Sequence, residues 1–146
     1  MRWVAALLIA TIVMSACTSE DKQKEAPKAI SGTCGLPKVS KNVDPERVPE
    51  EFLLEGGEIA RTKDFRGRFI ATINAPYQVT EAFKIYREQV ADAGWRTIQE
   101  ENEGFEAELY FATKEQLAAV QIRTSTCDRK IVVFVSTLPR DDIPGT

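Results

Sequence analysis

The stretch that decides the fold is RFIATINAPYQVTEAFKIYREQVADAGW, residues 68–95. Its first part alternates, so that one face of the segment is apolar: Phe69, Ala71, Ile73 and Ala75. Alternation with a period of two is typical of a strand with one buried face. Pro76 cannot donate a hydrogen bond to a sheet and ends the segment. The pattern therefore predicts a half-buried strand over residues 68–75.

A different period begins just after that strand. Apolar residues now recur at steps of three and four: Val79, Ala82, Phe83, Tyr86, Val90 and Ala93. This spacing places them on one side of an α-helix. Glu81 lies in the first turn, where the helix dipole favours a carboxylate, and Gly94 stands where a C-terminal cap needs a left-handed residue. The sequence predicts one amphipathic helix that ends at Gly94.

Five further strands are predicted around this unit. They lie at residues 58–62, 95–99, 107–111, 117–125 and 131–138. The acidic stretch Glu100, Glu101 and Glu103 is expected to form a solvated turn, and the β-branched run at 131–138 is long enough for a central position. The order β-β-α-β-β-β-β predicts an α+β fold. We expect a two-layer sandwich, in which one helix packs on a face of an antiparallel sheet.

The amino terminus has the features of an export signal. Arg2 gives a positive start, and residues 3–16 carry no charge. A transmembrane helix needs about 20 apolar residues, so this run is too short for a permanent span. It ends in MSAC at residues 14–17, which resembles the lipobox of bacterial lipoproteins. The resemblance implies that residues 1–16 are a lipoprotein signal peptide and that Cys17 carries lipid after cleavage.

This interpretation places the protein outside the cytoplasm, anchored by lipid on Cys17 to the cell membrane or the outer membrane. Residues 17–33 are rich in Lys, Glu, Asp, Gln and Ser, a composition typical of a flexible linker. The folded domain is then expected at 34–138, followed by a polar tail at 139–146. The alternative is a secreted protein without lipid, in which Cys17 is a chance thiol.

The two other cysteines are Cys34 and Cys127. Because exported proteins fold in oxidising compartments, we predict a disulfide between them. Chain-entropy estimates for a loop of this length give a stabilisation of about 4–5 kcal/mol.

Several classes of chemistry are excluded or not expected. The chain has no histidine, which excludes Ser-His-Asp and Cys-His catalysis and His-ligated metal sites. We find no phosphate loop or cysteine metal cluster, so no catalytic residue, cofactor or metal is expected. The net charge is −3, and we identify no basic cluster with interleaved aromatics, so no nucleic-acid partner is expected. Four carboxylates are interpreted as surface residues: Glu58, Asp64, Glu106 and Glu108.

The helical segment resembles a pattern from small exported bacterial proteins, many of them uncharacterised lipoproteins. The residues that carry the resemblance are Phe83, Tyr86-Arg87 and the ending Ala93-Gly94-Trp95. In those proteins a strand precedes the helix and a β-meander follows it. The similarity covers about residues 50–138 as architecture, its specific residues are structural, and it implies no activity.

The first functional hypothesis is a non-enzymatic envelope lipoprotein that binds a protein partner or organises an assembly. The alternative is a domain that binds a small ligand or cell-wall glycan, with the open sheet face or the region of Trp95 as its site. Trp95 and Tyr110 are the candidate binding residues, although Trp95 and Tyr86 are also expected to seal the helix against the sheet. A carboxylate-dependent hydrolase comes third, because it needs two close carboxylates in a pocket.

The lipid anchor leads to a first prediction. Cys17→Ser removes the thiol that is acylated, so the variant should incorporate no labelled fatty acid and should be released or mislocalised. Metabolic labelling followed by membrane fractionation measures both effects. Equal labelling of the variant and the unchanged protein would contradict the assignment of Cys17.

Overall fold

The computed structural model describes residues 33–140, which form one antiparallel sheet of six strands with one α-helix on it. In chain order the elements are β1 (Glu58–Phe65), β2 (Arg68–Ala75), α1 (Val79–Asp92), β3 (Arg96–Asn102), β4 (Glu106–Ala112), β5 (Gln116–Thr124) and β6 (Ile131–Pro139). Three short 3-10 helices precede them, at Thr33–Gly35, Pro45–Arg47 and Glu50–Phe52. The predictions for Cys17, the signal peptide, most of the linker and most of the tail fall outside the described residues.

The strands lie in the order β1-β2-β6-β5-β4-β3. The last strand of the chain is therefore inserted beside β2 and takes a central place, as the β-branched run at 131–138 predicts. β1 and β3 form the two edges. All five pairings are antiparallel, and the β1–β2 and β3–β4 pairings each contain a register shift.

The coarse prediction is confirmed: the fold is α+β, with one helix packed on an antiparallel sheet. The finer prediction of a two-layer sandwich stays a prediction. The predicted order also lacked the three 3-10 helices. β1 and β3 each extend three residues beyond their predicted ends, because backbone pairing continues through side chains that are exposed and show no alternation of hydrophobicity.

The helix begins and ends as its sequence predicts. The Glu81 carboxylate accepts a hydrogen bond from the backbone N–H of Gln78 at 3.4 Å, which satisfies a donor at the helix start. Gly94 has a φ of 91°, the left-handed conformation expected of a C-terminal cap. The next backbone N–H, of Trp95, donates to the Val90 carbonyl at 3.2 Å. The chain can thus reverse directly into β3.

The core lies between α1 and the inner face of the sheet. The largest fully buried side chains of the helix and strands in this layer include Tyr86, Val90, Ile73, Leu109, Phe111, Val120, Ile122, Ile131 and Val133. β-branched side chains dominate the central strands, where they pack well on a pleated surface. Within residues 33–140 no helix is long and apolar enough to cross a lipid bilayer.

Residues 36–54, which we call the strap, pass from one face of the sheet to the other around β1. At the start, the Asn74 amide donates to the Pro37 carbonyl at 2.9 Å on the face away from α1. The Ser40 N–H then donates to the Ala60 carbonyl on the outer edge of β1 at 2.8 Å. Because an unpaired edge strand is a template for aggregation, this contact protects β1.

Beyond the edge, the strap is held on the helix side by an ion pair. Arg47 donates two hydrogen bonds to the Asp64 carboxylate, at 2.7 and 2.8 Å, and its guanidinium lies 4.3 Å from the centre of the Phe69 ring. The hydrogen bonds from Arg47 lower the pKa of Asp64 below its usual value. Both side chains are largely exposed, so this pair positions the strap more than it stabilises the fold.

The strap ends in Phe52, which is fully buried under α1. Its ring makes edge contacts with Trp95 at 5.2 Å and with Phe111 at 6.1 Å between ring centres. The helix binds the same segment by polar contacts, since the Tyr86 hydroxyl donates to the Phe52 carbonyl at 3.1 Å and Gln89 donates to the Leu53 carbonyl at 2.8 Å. The strap is therefore part of the core.

A disulfide joins Cys34 to Cys127, 93 positions apart, as the sequence predicts. It ties the residues just before the strap to the loop between β5 and β6. The Thr126 N–H also donates to the Cys34 carbonyl at 2.8 Å. The strap is thus fixed at its start by a covalent bond and at its end by Phe52.

We predict that Phe52→Ala lowers the free energy of unfolding by about 3–5 kcal/mol, because it removes a buried ring and leaves a cavity. Val39→Ala, at a strap position that is 47% exposed, is the matched control and should cost well under 1 kcal/mol. Urea denaturation followed by circular dichroism measures both variants. Similar losses for the two would show that the strap is not anchored through Phe52.

Candidate binding surface on the open sheet face

The sheet face opposite α1, which we call the open face, is covered within residues 33–140 only where the strap crosses it. Its centre is apolar, with half-buried side chains from three adjacent strands: Ile70, Leu117, Ala119, Phe134 and Leu138. Tyr110 of β4 stands beside them and is 37% exposed. Grooves of about 370 and 200 Å³ run over this centre, and Tyr110 and Arg68 line both of them.

One side of the open face is acidic. Glu106 and Glu108 alternate along β4 and point outward, and the Gln121 amide on β5 donates to both carboxylates, at 2.9 and 2.8 Å. Arg123 donates to Glu106 at 2.9 Å. A groove of about 290 Å³ lies over this group and also touches Glu101. The network fixes two carboxylates in defined positions at a surface.

Tyr110 belongs to the same network. Its hydroxyl donates to the Glu108 carboxylate at 2.9 Å. This hydrogen bond, together with partial burial and the charge of Glu108, raises the pKa of Tyr110 above its usual value of 10.0. The phenol therefore stays protonated and keeps its donor directed at Glu108, so the ring is held in place on the face.

The other side of the open face is basic. A groove of about 610 Å³ lies between the strap and strands β1, β2 and β6. Its cations are Lys38, Arg61 and Lys63, its walls include Ile70 and Phe134, and no carboxylate lines it. The open face thus presents a basic side, an apolar centre and an acidic side in sequence across the strands.

The two candidate residues from the sequence lie on opposite faces of the sheet. Trp95 is 6% exposed and packs in the core, where its indole N–H donates to the Glu51 carboxylate at 2.7 Å. Tyr110 lies on the open face. They cannot form one binding surface together. Tyr86 is fully buried, and desolvation raises the pKa of its phenol far above the usual range.

Of the four carboxylates considered from the sequence, the structure brings two together. Glu58 is exposed at the start of β1, and Asp64 is bonded to Arg47. Glu106 and Glu108 share the Gln121 amide, which is the kind of proximity that a hydrolase would need. Each of them is, however, already held by a second donor, Arg123 or Tyr110. This arrangement favours a fixed charged surface over acid–base catalysis.

The sequence interpretation overlooked the basic side of the face. The stretch RTKDFRGRF, residues 61–69, contains four cations and two aromatic rings, which is a basic cluster with interleaved aromatics. These four positive charges did not stand out in a chain whose net charge is −3. The strand that places Arg61 and Lys63 on one face became clear only from the observed pairing of β1 with β2. Within residues 33–140 no group of three or more His, Cys, Asp or Glu side chains is placed to hold a metal ion.

No protein-family model matches the chain, and the curated proteins contain no significant match to it. The fold and the geometry are what describe it: an α+β protein with a helix on one sheet face and a surface of mixed charge on the other.

We predict that Tyr110 ionises above pH 10 and that Glu108→Gln lowers its pKa, because the variant removes both the carboxylate acceptor and its negative charge. The absorbance change at alkaline pH, taken as the difference between each protein and its Tyr110→Phe counterpart, isolates this residue. If Glu108→Gln leaves the titration unchanged, the hydrogen bond between the two side chains is not formed in solution.

Proposed function

We propose that this protein is a non-enzymatic lipoprotein of the cell envelope, anchored by lipid on Cys17, whose open face binds a protein partner. In this proposal the fold is a two-layer sandwich, with α1 as one layer and the sheet as the other. The observation that carries the proposal is the open face itself, where Tyr110 and an apolar centre lie between groups of opposite charge.

The composition of this face is typical of protein interfaces. Exposed Tyr and Arg side chains are enriched among the residues that dominate binding energy, and apolar neighbours that exclude water strengthen them. Tyr110 and Arg68 line the same two grooves, beside Leu117 and Phe134. The polar network through Gln121 also holds the acidic side in a fixed geometry, which reduces the entropy lost on binding.

The sheet edges are less suited to a partner than the face. The strap contacts the outer edge of β1 through Ser40. β3, the other edge, contains a bulge near Ile98 and carries Glu100 and Glu101. Bulges and charges on an edge are devices that oppose strand addition. A partner is therefore expected to lie across the strands.

The charges specify the chemistry of the partner. Acidic groups should face Lys63 and Arg68, and cations should face Glu106 and Glu108, with an apolar or aromatic side chain between them. Such complementarity sets the orientation of a complex and raises its association rate. It also excludes partners whose charges run in the opposite order.

A photocrosslinking experiment in cells tests this proposal. A photoreactive phenylalanine analogue at Tyr110 should give a discrete protein adduct, because its ring lies at the centre of the open face. The matched control carries the same analogue at Lys84, which is exposed on α1 on the opposite side of the molecule. Adducts no stronger at Tyr110 than at Lys84 would contradict the proposed interface.

The basic groove supports a second candidate function, the binding of a small ligand or cell-wall glycan. Its volume of about 610 Å³ suits such a ligand, and Lys38, Arg61 and Lys63 would select one that carries an anionic group. Phe134 offers a ring at the groove wall. With the photoreactive analogue at Phe134 instead, an added mass on the Phe134 peptide that cell-wall hydrolases remove and proteases leave in place would favour this candidate.

A further inference from the structure

The hairpin of β1 and β2 ends in an exposed tip with an unusual composition. We call Lys63, Phe65, Arg66 and Arg68 the hairpin tip. Arg66 and Gly67 form the turn, and both have positive φ, 51° and 77°. Phe65 and Arg68 are the last cross-strand pair before that turn. The four residues therefore lie at one end of the sheet.

The cations of this hairpin have no carboxylate partner among residues 33–140, whereas four arginines elsewhere do. Arg47, Arg87, Arg123 and Arg129 are each paired with a carboxylate. The three cations of the hairpin tip, and Arg61 behind them, form no ion pair with any carboxylate of residues 33–140. Asp64, the acidic residue of the hairpin nearest to the tip, is bonded to Arg47. The tip is thus a concentrated positive charge on a chain whose net charge is −3.

The exposed ring of Phe65 is the second feature of the tip. Phe65 is 52% exposed, whereas the other phenylalanines of the described chain are buried or half-buried. Lys63 and Arg66 lie over it, 5.8 and 5.2 Å from the ring centre. Cations held around an exposed ring match the groups that bind the membrane interface, where rings lie at the level of the lipid headgroups and cations contact phosphates.

The turn holds Arg66 in a backbone conformation that is costly for its side chain. A two-residue turn with positive φ at both positions favours Asn followed by Gly, because a left-handed conformation is costly for other side chains. The second position holds Gly67 as expected, but the first holds Arg66. Residues in costly conformations cluster at functional sites. A cation at the apex is consistent with a binding role for the tip.

We propose that the hairpin tip docks on an anionic membrane surface, with Phe65 among the headgroups and Lys63, Arg66 and Arg68 on lipid phosphates. Lys114 and Arg140 lie at the same end of the sheet and add to its positive charge, whereas Glu115 opposes it. Glu106 lies away from this end, towards the β3–β4 turn, whereas Glu108 shares a groove with Lys63 and Arg68.

The proposed anchor is compatible with this orientation. The described chain starts at the disulfide, at the opposite end of the sheet from the tip. A strand of eight residues spans about 26 Å. Residues 17–33, fully extended, can reach about 55 Å. Lipid on Cys17 and the hairpin tip can therefore contact the same membrane. Because Lys63 and Arg68 also line the groove beside Tyr110, a partner on the open face would compete with the membrane for these two side chains.

Vesicle binding tests the proposal independently of the lipid that is proposed on Cys17. The mature-length chain, residues 17–146 with the Cys17→Ser substitution, is sedimented with vesicles of phosphatidylglycerol and phosphatidylcholine or of phosphatidylcholine alone. We expect binding to the anionic vesicles only, and a loss of binding at high salt, because exposed charges are screened. Equal binding to both kinds of vesicle would overturn the proposal. Since the variant carries no lipid on residue 17 and no protein partner is present, either result leaves the assignment of Cys17 and the proposed protein interface unaffected.

Variants locate the contact. Each cation removed near an anionic surface weakens binding about fivefold, so Lys63→Gln combined with Arg68→Gln should weaken it roughly 25-fold. Lys84→Gln removes one positive charge on α1 and should leave binding unchanged. A loss of about fivefold with Lys84→Gln, the loss expected for one tip cation, would mean that net charge, not the tip, attracts the membrane.

Arg66→Asn separates the binding role from a structural one. The variant should raise the melting temperature, because Asn suits the turn, and should weaken vesicle binding about fivefold. A variant that is stabilised but binds normally would exclude Arg66 from the contact.

Soluble polyphosphate tests the identity of the ligand. If it competes with the vesicles for the same residues and binds more tightly than they do, the ligand of the tip is a soluble polyanion and the membrane proposal is overturned.

Discussion

The burial of Phe52 between α1 and the sheet is the contact on which the rest of the structure depends. It brings a segment from outside the sheet into the core, where the Phe52 ring meets Trp95 and Phe111 and its carbonyl accepts the Tyr86 hydroxyl. The strap that leads to Phe52 passes around β1, and in doing so it covers the outer edge of that strand. The disulfide at Cys34 fixes the other end, so that one chain segment links both faces and one edge of the sheet.

This arrangement leaves most of one face of the sheet uncovered by the rest of residues 33–140. The core side is filled by α1 and Phe52, and the strap occupies only the margin of the open face, where it forms a wall of the basic groove. The register of β4 and β5 then places Glu106 and Glu108 beside Gln121, while the register of β1 and β2 places the cations at the other side. The charge separation across the face is thus a consequence of strand order.

The sequence predicted the local elements well and, apart from the Cys34–Cys127 disulfide, the long-range contacts poorly. Period and capping residues identified β2, α1 and Gly94, because each depends on neighbours within a few positions. The outward direction of Tyr110 also followed from alternation with Leu109 and Phe111. The strap could not be predicted, since its contacts join residues such as Glu51 and Trp95, 44 positions apart. The charged sides of the open face depend on strand order, which no local pattern contains.

Side-chain oxidation by hydroxyl radicals tests most directly whether the open face is the recognition surface. Tyr110 should be oxidised rapidly in the isolated, unlipidated protein and slowly in intact envelopes, where a partner covers it. Ile98, which is 55% exposed on the β3 edge, is the internal reference and should react equally in both. If Tyr110 is as reactive in envelopes as in isolation, relative to Ile98, the open face is not the surface that this protein uses.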